Sequence, residues 1–404
     1  MPNGKTEIIC VNPREANLKR KLREHLQSLG FTKSAEGALQ APGNSKDSIR
    51  LLHRAQREER LLATQKLVSL KSEKLMRFFA SGKDIDVDKI SPVLERISSD
   101  SWQSDLFRLA TLSWSVPVSS GFGRRIRYLV WDESNGKLMG LIAIGDPVFN
   151  LGVRDNFIDW DINDRSARLV NLMDAYVLGA LPPYNLLLGG KLIACLLRSR
   201  DLYRDFANVY GNTTGVISKK KKKANLLAIT TTSSMGRSSV YNRLKLNGTQ
   251  YLHSIGYTGG WGHFHIPDWL FSELRDYLRD IDHSYADRYE FGQGPNWRLR
   301  TTRAALSALG FKEDMMKHGI QREVFICQLA QNTRRILQTG KGRPDLTSLL
   351  SVKDIAEQAI DRWMIPRSRS RTEFSSWSSD SLREVFRGHT QIISDQIGNV
   401  EACS

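Results

Sequence analysis

The stretch "DAYVLGALPPYNLLLGGKLIACLL" at 174–197, followed by "NLLAITTTSS" at 225–234, restricts the fold of this chain more than any other part of it. Pro182 and Pro183 stop whatever precedes them, because proline fixes φ and has no N–H to give a ladder or a helix. Gly189 and Gly190 then turn the chain into an apolar run at helical spacing that reaches Leu197 and, extended, Tyr210. The residues before Pro182 suit a strand or a helix, whereas the β-branched run at 229–232 reads as a strand. Upstream, "RRIRYLVWDESNGKLMGLIAIGDPV" sets two β-rich runs around Asn135 and Gly136, the pair favoured in type I′ hairpin turns. Hairpin, turn into helix, strand and further helix, in that order over roughly 100–280, predict an α/β (α+β) core on a mixed sheet.

The flanks follow other patterns. Near the start, Ala16, Leu18, Leu22 and Leu26 fall on one helical stripe that Gly30 ends. Between 49 and 79, Leu51, Leu52, Ala55, Leu62, Leu70 and Phe78 make an imperfect apolar face on a charge-rich helix or helix pair. The chain therefore divides into a basic helical region (1–95), the α/β core (96–280), a mainly helical α+β extension holding the strand "REVFICQLA" (281–365), and a polar tail (366–404). "RSRSRTEFSSWSSDS" in that tail is expected to be flexible.

Fifty-nine Lys and Arg against 43 Asp and Glu leave a net charge of +16, an excess that draws polyanions and points to nucleic acid, DNA foremost. No apolar stretch approaches the ~20 residues that a membrane-spanning helix needs. The opening residues lack the apolar core of a secretory leader, and Cys10, Cys195, Cys327 and Cys403 are scattered without paired spacing. A reduced, cytoplasmic protein is expected.

Gly189, Gly190 and Lys191 form a candidate anion site. A turn feeding a helix start exposes N–H groups, bare glycines admit a phosphate, and the lysine adds charge. A plain strand-to-helix turn is the alternative, since "LLLGGK" fits neither the Walker nor the dinucleotide glycine spacing. Arg124, Arg125 and Arg127 begin a strand, and alternation sends Arg125 and Arg127 to one face and Arg124 to the other. Together with Lys219, Lys220, Lys221, Lys222 and Lys223, a lysine run expected in a loop, they are the candidate nucleic-acid contacts. Trp114, Phe122 and Trp131 near these cations suit either stacking on bases or core packing. Asp146, Asp155, Asp159 and Asp161 lie in "GDPVFNLGVRDNFIDWD"; such carboxylates hold Mg²⁺ in phosphodiester cleavage, and equally cap helices and turns. His263 and His265 in "GHFH" would share a strand face as a metal pair, yet no third ligand stands at a recognised spacing. Cys195, inside the apolar helix run, is expected to be buried and inert.

Long consecutive blocks of the chain resemble the DruA family, a component of the Druantia anti-phage defence system of bacteria. They are "FASGKDIDVDKISPVLERI", "FRLATLSWSVPVSSGFGRRIRYLVWD", "GLIAIGDPVFNLGVRD", "DAYVLGALPPYNLLLGGKLIACLL", "TTTSSMGRSSVYNRLKLNG" and "IGYTGGWGHFHIP", covering roughly 75–270. The resemblance implies a cytoplasmic role in antiviral defence beside a large helicase-like partner and other small components; it hands over no active site. The order of elements is also similar to that of GNAT-type acetyltransferases, in which a glycine-rich turn after a strand holds the coenzyme A pyrophosphate. The match departs at Leu186 and Lys191, where that motif carries a polar and a small residue. By the same analogy Tyr241 would be a general acid to the leaving thiolate. Two classes of function stay open. One is a DNA-binding adaptor that presents foreign DNA to the helicase-like partner. The other is an enzyme acting on DNA, either GNAT-like through Tyr241 or a metal-dependent nuclease using Asp146, Asp155 and Asp161. No cofactor is assigned.

Overall fold

The β-rich runs along 125–145 form strands, 172–180 is a strand rather than a helix, and their apolar side chains are buried on both faces of a central sheet. The computed structural model describes residues 12–33, 35, 39–40, 42–43, 45–121, 123–214, 221–260, 263–287, 297–311 and 319–387. Seven strands form one mixed sheet: β1 (Pro92–Arg96), β2 (Arg125–Asp132), β3 (Lys137–Gly145), β4 (Leu172–Ala180), β5 (Ala228–Thr232), β6 (His253–Tyr257) and β7 (Glu323–Gln328). Their spatial order is β1-β2-β3-β4-β5-β7-β6, with β4 and β5 parallel and the other neighbours antiparallel. The fold class is α/β, and the succession of strand, glycine turn, helix and parallel strand is present as β4, the helix Gly189–Cys195 and β5.

Helices cover both faces. On one, Tyr128, Val130, Ile142 and Ile144 pack against Leu192, Ile193, Leu202, Phe206, Ile355 and Ala359. On the other, Leu129, Leu141, Ala143 and Val177 meet Val68, Leu75, Leu106, Leu109, Leu382 and Phe386. Beneath β5 and β7, Leu172, Leu227 and Ile326 close on Ile158, Ile336 and Leu337. Burying each of these large side chains is worth roughly 1.5–3 kcal/mol.

The structure differs from the sequence reading in several places. The chain falls into two compact units, residues 1–59 with 260–320, and 60–259 with 321–404, so boundaries at 95, 280 and 365 do not divide it. Each unit gathers segments remote in sequence, which a linear scan of composition cannot register. The hairpin turn spans 133–136 and is closed by Gly136 N–H to the Asp132 carbonyl at 2.9 Å. Of the Asn135–Gly136 pair Gly136 alone has a positive φ, +66°, so the turn is not type I′. The Asn135 amide instead donates to the Asp84 carbonyl and the Tyr184 hydroxyl, at 3.0 and 2.9 Å. The helix after Gly189 stops at Cys195, and Ser199 caps a separate helix, Arg200–Tyr210, by accepting from Leu202 N–H.

The tail is folded through residue 387. Leu382, Val385 and Phe386 are 0–1% exposed, and the Trp377 carbonyl accepts from Gly82 N–H at 2.8 Å. Most of its serines and arginines are exposed while a few apolar residues hold it down, a pattern that composition alone reads as disorder. In the smaller unit the helices Pro13–Ser28, Lys46–Leu52, Asp268–Asp280 and Trp297–Ala308 pack together, with Lys21 paired to Glu273 at 2.6 Å. Among the described residues no helix is long and apolar enough to cross a membrane.

Candidate nucleic-acid interface

The turn that joins β4 to the helix Gly189–Cys195 is built to be tight. Tyr184–Leu187 forms a short 3₁₀ turn, Leu188 takes φ +60°, and the helix starts at once. The N–H groups of Asn185, Leu186, Leu188 and Lys191 are bonded to the carbonyls of Leu181, Pro183, Asn185 and Leu188. A Cβ at Gly189 would stand 2.7 Å from the Tyr184 carbonyl oxygen, so close backbone packing explains that glycine. Gly190 is different: its nearest neighbour to a Cβ is Val240 Cγ1 at 3.8 Å. The helix is seven residues long, and a dipole that short adds little field. Any attraction for an anion comes from side chains.

Those side chains are cationic. Lys191 Nζ lies 5.4 Å from the Trp363 ring centroid. Burial lowers the pKa of its ammonium, and the charges of Arg243, Arg362 and Arg367 lower it further. Arg243 follows β5, in the turn Tyr241–Arg243; Arg362 and Arg367 come from Ile360–Met364 and Ile365–Ser370. Arg367 Nε donates to the Leu186 carbonyl at 3.2 Å, which anchors it to the glycine turn. Arg243 and Arg362 are exposed, and among the described residues no carboxylate pairs with either. Four cations thus converge where the sequence pointed to Gly189, Gly190 and Lys191. The three arginines carry no local signal, because they stand 52 to 176 residues beyond Lys191.

Beside this cluster β4 and β5 part. Their ladder holds from Leu172↔Ala228 to Asp174↔Thr230, while β4 continues along β3 to Ala180. Past the fork, side chains replace the ladder: Thr231 Oγ1 donates to the Ala175 carbonyl at 2.9 Å, and the Tyr241 hydroxyl to the Leu178 carbonyl at 3.1 Å. The Tyr241 ring packs edge-on against Phe325. Its position is that of an amphipathic tyrosine with its hydroxyl hydrogen-bonded to backbone. At the fork, burial pushes the Asp174 carboxyl up to about 6, against the opposing effects of the Thr230 hydroxyl and Arg154. Thr230 Oγ1 donates to Asp174 Oδ1 at 2.7 Å. Asp174 went unnoticed in the sequence because an acid inside a strand carries no motif.

The other candidates are scattered. Arg124 pairs with Asp146 at 2.7 Å and donates to the carbonyls of Val170 and Leu172, so both residues tie loops together. The predicted alternation holds, with Arg124 over Phe206 and Tyr210 on one face and Arg127 over Phe107 on the other. Arg125 Nη1 donates to the Ser120 carbonyl at 3.3 Å. Asp155, 4% exposed, accepts from Arg154 and Arg165; Asp159 takes φ +70° after a helix; Asp161 caps the next helix through Asn163 and Asp164 N–H. His265 Nε2 lies 2.5 Å from Glu59 Oε2 and His263 Nε2 lies 2.8 Å from Arg303, on irregular backbone rather than one strand face. Among the described residues no three His, Cys, Asp or Glu side chains gather as a metal site. Lys221–Lys223 pairs with Asn212–Thr214 as a two-stranded ribbon, where a loop was expected. Lys219, Lys220, Phe122, Cys10 and Cys403 lie outside the described residues. Trp131 donates its indole N–H to Glu95 at 2.7 Å, and the Trp114 ring covers Gly179. Cys195 is buried, and burial pushes its thiol pKa up, as expected of an inert cysteine.

These features define an α/β protein with a cationic surface cluster suited to an anion. The family model described as Druantia protein DruA matches residues 43–339, and the chain belongs to that family. It is 74% identical over 375 residues to the Druantia protein DruA of Escherichia coli strain UMEA 4076-1, covering 93% of each chain. No solved structure matches it.

Proposed function

We propose that this chain is a nucleic-acid-binding component of a Druantia anti-phage system, acting in the cytoplasm as an adaptor that holds DNA for a helicase-like partner. The gathering of Lys191, Arg243, Arg362 and Arg367 carries this reading. Like charges placed together repel, and a phosphate among them would relieve that repulsion while accepting charge-assisted hydrogen bonds from the guanidinium groups. Membership of the DruA family supports the defence role, and the net charge of +16 supports a polyanionic ligand. An adaptor is favoured over an enzyme because Asp146, Asp155, Asp161 and Tyr241 are each engaged by structural partners.

The test is salt-dependent DNA binding by wild type and by the double variant Arg243→Gln, Arg362→Gln. Removing two phosphate contacts should weaken binding and reduce the slope of log affinity against log salt by about 2. Thermal melting checks that the variant is folded. An unchanged slope, or wild type that binds no DNA or RNA at low salt, removes the reading.

A further inference from the structure

A second feature of the larger unit points to how a nucleic acid would be gripped. A groove of about 430 Å³ runs between the end of the helix Arg54–Met76 and the start of the helix Trp102–Thr111. Its floor is aromatic. Phe78 and Trp102 stack with centroids 4.9 Å apart and planes 20° apart, and Trp131 meets Phe78 edge-on at 5.4 Å. The stack is braced from behind, because Glu95 accepts from the Trp131 indole and from the Gln103 amide. Trp102 nonetheless leaves 46% of its surface open, and Leu70 beside it 66%. A braced and half-exposed indole is suited to stacking with a base.

The rim supplies polar groups of both kinds that a nucleotide needs. Lys74 and Arg77 are exposed, Arg77 lying 4.8 Å from the Phe78 centroid, and among the described residues neither pairs with a carboxylate. Lys71 and Asp105 pair with each other across the groove. Asp100, exposed and with no cationic partner among the described residues, offers a carboxylate acceptor near the Trp102 ring. Cations for flanking phosphates, a ring for the base face and a carboxylate for an exocyclic amine are the parts of a site for an unpaired base. Inside a duplex both faces of a base are covered by its stacked neighbours and its Watson–Crick edge is paired, so duplex DNA does not fit this arrangement.

We infer that the Phe78–Trp102 groove receives an unpaired nucleobase of a single strand, with Lys74 and Arg77 on its phosphates. The inference rests on the nucleic-acid reading above and narrows its substrate to single strands. The experiment compares a fluorescein-labelled single-stranded oligonucleotide with the same oligonucleotide annealed to its full complement, using the full chain. Trp102→Ala should lower single-strand affinity by about 5- to 150-fold, the worth of one stacked base, and leave duplex affinity within about twofold. Trp102→Phe should restore most of the loss. Lys74→Gln with Arg77→Gln, which leaves the stack in place, should weaken single-strand binding and flatten its salt dependence. Equal losses on both substrates, or no loss with Trp102→Ala while Arg243→Gln, Arg362→Gln weakens both, overturns the base site and leaves the proposed function standing. Wild type that binds neither substrate at low salt overturns both. Binding of a protein partner that Trp102→Ala abolishes, with single-strand affinity unchanged, overturns the base site in favour of a docking surface.

Discussion

The Tyr184 hydroxyl donates to Asp132 Oδ2 at 2.8 Å, joining the loop before Gly189 to the end of the β2–β3 hairpin. Asp132 is fully buried and also accepts from the N–H groups of Ser91 and Ser134 and from the Ser134 hydroxyl. Burial, then the Asp132 charge, pushes the Tyr184 phenol pKa up. One side chain therefore fixes both the turn at 133–136 and the approach to the cationic cluster.

Tyr184→Phe removes that donor and leaves a buried carboxylate oxygen short of a partner. The expected cost is about 1–3 kcal/mol. Urea denaturation of the variant against wild type measures it, and an unchanged midpoint would show that Asp132 is satisfied without Tyr184.

Gly189→Ala and Gly190→Ala should behave differently although the residues are adjacent. Both have negative φ, so neither substitution strains the backbone. The new Cβ at 189 would press on the Tyr184 carbonyl at 2.7 Å and should destabilise by about 1–3 kcal/mol, the usual cost of overpacking. At 190 the space is open, and alanine should be neutral or gain up to about 1 kcal/mol through helix propensity. Thermal melting of the two single variants decides it; equal losses would refute the packing account.

Asp174→Asn should raise stability at neutral pH and leave it unchanged in acid. The Asp174 carboxyl titrates near 6 in the fold and about 3.9 unfolded. A raised folded pKa means stability is full below the unfolded value and lost as pH rises through about 6. Asparagine keeps an acceptor for the Thr230 hydroxyl and carries no charge to desolvate. The gain at about pH 8 is on the order of 2–3 kcal/mol, vanishing near pH 4. Denaturation midpoints at the two pH values test it, and a pH-independent difference would assign the effect to another cause.

Truncation after Ser370 should destabilise the larger unit rather than shed an idle tail. It removes Leu382, Val385 and Phe386 from the face formed by Phe79, Leu106 and Leu141. A Cβ at Gly82 would run into the Phe374 carbonyl, so Gly82→Ala should loosen the same contact without shortening the chain. The expected loss on truncation is several kcal/mol, about 1.5–3 for each large side chain uncovered. Limited proteolysis measures the other side of it: cleavage of wild type between 371 and 387 as fast as in an unfolded chain would show the tail unpacked.

The sequence alone determined the strands and their boundaries wherever a local rule was strong. The β-rich runs around Asn135 and Gly136 marked β2 and β3, the β-branched run at 229–232 marked β5, Pro182 and Pro183 ended β4, and Gly189 and Gly190 opened the helix behind it. Arg124 and Arg127 went to opposite faces as period 2 requires. The family resemblance was equally legible, since it rests on blocks of contiguous residues. The cationic cluster was legible only in part. Lys191 stands in the motif, but Arg243, Arg362 and Arg367 come from separate segments with no pattern linking them. The same holds for Phe78 and Trp102, whose stacking depends on the turn after one helix meeting the first residue of another. Only the tertiary structure decided which aspartates are occupied, that residues 371–387 pack, and that segments remote in sequence share one unit. Backbone preference is set by neighbours a few residues away and can be read along the chain. Charge and stacking act over a few ångströms of space, and which residues come within that range is settled only when the sheet has its helices on both faces.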